Sequence, residues 1–207
     1  MAQKAYEVGD ASGALGTDIL EMMKIYASAN ETAESVNAKI AGTTAFQNIS
    51  GLSGTDATNA LQTIINQFKL TTEKGYSAGD AITYVGDAIT GVAYNLSKDE
   101  GDAMREIISA VEDAGSVIEQ SGGSLEWYSA VTGALAETMN ATGSEVGGAM
   151  RMITARTLQQ KEAFDEMNDS GEETEVAMAN AEKALTNLGI SIRGSNGDLR
   201  SIEEVLG

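Results

Sequence analysis

Glu126 stands directly before Trp127, and this pair is the one in the sequence best suited to acid catalysis. An apolar ring against a carboxylic acid raises its pKa, and glycan cleavage uses an acid held in that way, often beside a second carboxylate. Neighbouring residues of a helix do not face each other, however. Trp127 therefore reads as an anchor in a helix packing contact. The densest acidic group is Asp165, Glu166, Asp169, Glu172, Glu173 and Glu175. With Glu166 as the first position of a calcium loop, Asn168, Ser170 and Gly171 fall at the third, fifth and sixth. The first position is then not Asp, and the twelfth is Ala177 where a bidentate Glu is needed, so the segment reads as a solvated acidic corner between two helices. Arg151 and Arg156 lie in acidic surroundings and are expected to pair with carboxylates of their own chain.

Composition removes other chemistries. Histidine and cysteine are absent, so Ser-His-Asp and Cys-His arrangements and the usual zinc sites cannot be built. No Gly-x-x-x-x-Gly-Lys-Ser/Thr loop is present to cradle a phosphate. No catalytic, metal-binding or cofactor-binding residue is assigned, no cofactor is implied, and no enzymatic activity is expected. Acids outnumber bases 31 to 13, for a net charge of -18, and no Lys or Arg occurs between Arg105 and Arg151. Nucleic-acid phosphates and anionic membranes are met by clustered basic residues, so both are disfavoured as partners. No stretch reaches the roughly 18 apolar residues of a membrane span. The segment Met1 to Glu7 lacks the apolar core of a signal peptide, and synthesis in the cytoplasm is expected.

The elements that must carry these residues read as helices. Hydrophobic residues make up 42% of the 207, mostly small aliphatics, and proline is absent, so no helix is broken by a missing amide. Ser53-Gly-Thr-Asp56, Ser77-Ala-Gly-Asp80 and Ser97-Lys-Asp-Glu100 each set a carboxylate three residues after a serine, the spacing of a helix-starting capping box. Ser201 to Glu204 repeats it, and Ser124 and Ser144 read as plainer caps. Apolar stripes follow: Leu61, Ile64, Ile65, Phe68; Ile82, Val85, Ile89, Val92, Leu96; Ile107, Val111, Ala114, Ile118; Tyr128, Val131, Leu135, Met139; and Val146, Met150, Ile153, Thr157. Glycines at 51, 75, 122, 123, 143 and 189 mark expected helix ends.

The fold class is thus all-α, an array or bundle of about eight to nine short capped helices. They are expected near 17–28, 31–46, 55–69, 78–96, 99–120, 124–140, 144–167 and 172–187, with a last one from about 201. Ile190-Ser-Ile-Arg193 and the Gly194-Ser-Asn-Gly197 that follows predict a short extended segment and tight turn over 190–197. Asp80-Ala-Ile-Thr recurs one heptad later as Asp87-Ala-Ile-Thr. Two heptads are too few for a coiled coil, so an ordinary amphipathic helix is the reading.

From Gly51 to Gly207 the chain resembles the core region of phage tail tape measure proteins. Ser77-Ala-Gly-Asp-Ala-Ile-Thr-Tyr-Val-Gly-Asp-Ala88 is similar to the family's paired helices. Met139-Asn-Ala-Thr-Gly-Ser-Glu-Val-Gly-Gly-Ala-Met-Arg-Met-Ile-Thr-Ala-Arg156 carries the most specific match, a glycine-opened helix with two arginines five apart. Ala184-Leu-Thr-Asn-Leu-Gly-Ile-Ser-Ile-Arg193, running on to Leu206, is the third. The resemblance implies two parts, an N-terminal helical segment 1–50 and a core-like helical domain 51–207, cut from a longer chain and truncated at its C-terminal end. It implies a structural protein of the virion tail, assembled in the host cytoplasm. Such proteins fill the tail tube, set tail length, and leave ahead of the DNA. The implied partners are tube, tip or baseplate proteins, assembly chaperones and further copies of the chain. The alternative is a helical protein-binding or secreted effector module without catalytic activity. The sole lipid-facing candidate for such a module, Ala88 to Leu96, is too short to span.

Overall fold

The computed structural model describes residues 2–29 and 31–168, together with Gly194, Arg200, Glu203 and Glu204. These residues form eight helices: α1 (Ala2–Ser12), α2 (Gly16–Ser28), α3 (Ala33–Ser50), α4 (Gly54–Gln67), α5 (Ala78–Ala93), α6 (Glu100–Gln120), α7 (Leu125–Met139) and α8 (Gly143–Asn168). No strand occurs among the described residues, and none of their helices is long and apolar enough to cross a membrane. The helix expected over 172–187 and the extended segment and turn over 190–197 lie outside the described residues. Of the last expected helix, Glu203 and Glu204 are helical.

Helix starts follow local side-chain chemistry. The Ser53 hydroxyl accepts from the Asp56 amide at 3.1 Å and donates to the Asp56 carboxylate at 2.7 Å. Ser77 and Asp80 repeat the arrangement at 3.2 and 2.6 Å. Asp is too short to reach back to the N-cap amide, so it binds the capping hydroxyl and leaves its charge at the positive end of the helix. Ser124 caps α7 through the Trp127 amide at 3.2 Å. Two expected caps fall elsewhere. Asp99, not Ser97, caps α6: its carboxylate accepts from the Asp102 amide at 3.2 Å, while the Ser97 amide donates to Glu137 of α7 at 3.0 Å. Thr142, not Ser144, caps α8. Its hydroxyl accepts from the Glu145 amide, and Glu145 reaches back to the Thr142 amide at 2.8 Å. Ser144 instead donates to Asp113 of α6 at 2.8 Å.

α6 is the central element and packs against α3, α4, α5, α7 and α8. Its stripe Ile107, Val111, Ala114 and Ile118 is fully buried. Each such Ile or Val contributes roughly 1.5–3 kcal/mol by leaving water. α5 buries Ala81, Ile82, Val85, Ile89 and Ala93 against its own chain, so the repeated Asp-Ala-Ile-Thr belongs to an ordinary amphipathic helix. One hydrophobic cluster runs from Ala5 of α1 to Met150 of α8. α1 is not expected from sequence, because among its described side chains only Ala5 and Val8 are apolar and buried.

Two apolar stripes are turned from their expected faces. α7 buries Leu125, Tyr128, Ser129, Thr132, Gly133 and Ala136, and leaves Met139 exposed. Gly133 lets α5 approach: a Cβ there would lie 2.9 Å from Val92 Cγ1 and 3.0 Å from Leu96 Cδ1. α8 buries Val146, Met150 and Thr154, and leaves Ile153 exposed. Gly143 does not end a helix but opens α8. Asn140, left-handed at φ 50°, terminates α7.

Candidate functional site

The closest helix crossing lies where α8 runs beside α6 in the same direction. The Gly143 amide donates to the Glu106 carboxylate, and any side chain at 143 would collide with the Glu106 carbonyl. One turn on, a Cβ at Gly147 would lie 2.9 Å from Ala110 Cα, from Ala110 O and from Asp113 Cβ. On α7, the buried Tyr128 hydroxyl donates to the same Ala110 carbonyl at 2.9 Å, and burial pushes its pKa up. Three helices therefore converge on Ala110, and the stretch Gly143 to Gly147 has backbone contact as its local task. In parallel register, α8 draws level with the last residue of α6 near Thr157 and continues to Asn168. Its 26 residues give a rod roughly 39 Å long.

Glu126 and Trp127 part as the sequence suggested. Trp127 is half-buried against the core, while Glu126 is exposed and accepts from the Tyr84 hydroxyl of α5 at 2.6 Å. Desolvation first and this carboxylate second raise the Tyr84 pKa. The Tyr76 ring lies 5.0 Å from that of Tyr84, and Glu203 accepts from the Ser124 amide at 3.0 Å. The Glu126 group thus ties the start of α7 to α5, and Glu203 brings the chain's last described turn to the same place.

A buried ion pair that sequence reading missed lies where α3 begins. Lys39 of α3 is 5% exposed, pairs with Glu31, and has its ammonium 4.8 Å from the centre of the Tyr26 ring. The other Glu31 oxygen accepts from Ser35 at 2.6 Å. Glu31, Ser35 and Lys39 are spaced four apart, which is the signal that could have found them. The Tyr26 hydroxyl, raised in pKa by burial, bonds Thr43 at 2.8 Å. Beside the pair is an open cavity of about 380 Å³, lined also by Gln62, Asn66, Thr71 and Tyr76. Lys69, at the turn after α4, takes a left-handed φ of 52° and is held there by Glu73 at 3.2 Å and Glu119 at 3.5 Å. Every charge in this group that makes an ion pair is matched within the chain, which suits it to fixing helices in place.

Among the described residues no group of three or more acids is placed to hold a metal ion. The acidic corner from Asp165 to Glu175 lies outside the residues whose side chains are described. Arg151 and Arg156, expected to pair within the chain, are both exposed and make no ion pair with described residues.

What the fold and these groups define is a helical structural module, whose specialised side chains cap, clamp and space helices. The chain matches the family of phage-related minor tail proteins over residues 2–207, and it belongs to that family. No curated protein and no solved structure matches it significantly. Membership makes it a structural component of a phage tail that works among other tail proteins.

Proposed function

We propose that the chain is the core-region module of a tail tape measure protein, a part of the scaffold that sets tail length during assembly and leaves with the DNA. The observation that carries this reading is the α7–α8 turn. The stretch Met139 to Arg156, the most specific of the three that resemble tape measure proteins, forms the helix crossing at Glu106 and Ala110. Two of its glycines, Gly143 and Gly147, serve that packing. Family membership over residues 2–207 supports the same reading at the level of the tail.

A ruler needs a fixed rise per residue, which an extended helix supplies at about 1.5 Å. Helices folded back on one another around α6 do not, so this module acts beside the ruler: it anchors one end of it to tip, baseplate or chaperone proteins. Assembly in the host cytoplasm belongs to the same proposal. Electron microscopy of particles made without the chain tests it. Tails that are missing or scattered in length are expected; tails of normal, uniform length contradict it.

A further inference from the structure

We propose that the outward face of α8 is a docking surface for a helix of another protein, one that presents apolar side chains bordered by carboxylates. The inner face of α8 is already occupied, with Val146, Met150 and Thr154 buried. On the outer face Met152 is 60% exposed and Ile153 48%. A helix turns about 100° per residue, which sets Arg151 on one side of Met152 and Arg156 with Ile153 on the other. Both guanidiniums are exposed and make no ion pair with described residues, in a chain whose net charge is -18.

Charge selects the occupant. A second copy laid antiparallel on the same face would bring Arg156 of one copy against Arg151 of the other, so two-fold pairing through α8 is opposed by like charge. A helix with carboxylates on its borders meets each guanidinium with two parallel hydrogen bonds, geometry that Arg fits and Lys does not. Between the borders, the unbranched Met152 side chain adapts to an apolar neighbour. The surface thus sets Met152 between two guanidiniums, with apolar contact for affinity and charge for choice of partner.

The proposal rests on the tail reading only for where the partner is sought. A photocrosslinking residue placed at Met152 in assembled tails, followed by mass spectrometry of the linked peptides, tests it. A helical peptide of another tail protein, with carboxylates within one turn of the linked residue, is expected. The double substitution R151E/R156E should lower the yield about tenfold or more, and Lys in place of the partner's carboxylates should restore it. Both arginines are exposed, so the circular dichroism of the doubly substituted chain should be unchanged. Capture of a second copy, of residues 169–193 of the same chain, or of nothing overturns the proposal. The amount of chain in the same tails is measured alongside: if it is present but captures nothing, the docking idea falls and the tail assignment stands.

Discussion

Adjacent glycines of α8 should respond to the same substitution with opposite signs. At Gly147 an added methyl would sit 2.9 Å from two backbone atoms of Ala110, well inside van der Waals contact. Neither atom belongs to a flexible side chain, so α8 must retreat from α6 and loosen Val146 and Met150 beside it. Overpacking of this kind costs about 1–3 kcal/mol, and contact with backbone puts it toward the upper end. Replacing a helical glycine returns up to about 1 kcal/mol through propensity. G147A should therefore lose about 1–2 kcal/mol net. At Gly148 an added methyl has nothing within 4 Å, so G148A should keep the propensity gain of about 0.5–1 kcal/mol. The two variants differ by about 2 kcal/mol, which for a chain of this length is roughly 4–8 °C in Tm. Thermal unfolding followed by circular dichroism reads the difference directly. The crossing is refuted if G147A is as stable as the parent chain, or if both variants shift Tm in the same direction.

Other expectations follow from the same geometry. E31Q leaves Lys39 buried without its counter-charge and should cost about 2–4 kcal/mol in urea unfolding. E31Q/K39M should recover most of that loss, and a double variant no better than E31Q contradicts the pairing. S77A removes the α5 cap and should cost about 1 kcal/mol, while S97A, which caps nothing, should cost less. The Thr142 amide and hydroxyl hold the Glu145 carboxyl below the usual carboxylate range, as Ser97 does for Glu137. A depressed acid stabilises the fold above its unfolded pKa and loses that contribution as pH falls through the folded value. The Tm of E145Q should therefore depend less on acid pH than that of the parent chain. Glu112 has the opposite sign, raised by desolvation and then by Asp113 and Asp56, so E112Q should gain stability at neutral pH and lose the gain as pH falls.

Where sequence reading succeeded, the interaction was local. Ser53, Ser77 and Ser124 were legible because a hydroxyl and an amide three residues apart decide a helix start between them. Ser97 and Ser144 were misread because a second capping residue stood within two positions of each. Contacts from distant helices, Glu137 and Asp113, then settled which one capped. The α7 and α8 faces were misjudged for a related reason. Periodicity was read from the large side chains, whereas the close crossings select small ones, and Gly133, Gly143 and Gly147 face inward. That rotation leaves Met139, Met152 and Ile153 in solvent, so the proposed docking face could not be seen from the stripe alone. The Lys39–Glu31 pair was legible in principle from its spacing, but burial of a lysine depends on Tyr26 from another helix.

The most direct test of the tail reading is the amount of this chain in purified virions, measured by quantitative mass spectrometry before and after DNA release. The account predicts a fixed copy number in intact particles and its loss from emptied ones. A chain absent from intact virions, or retained in full after the DNA has left, would contradict it.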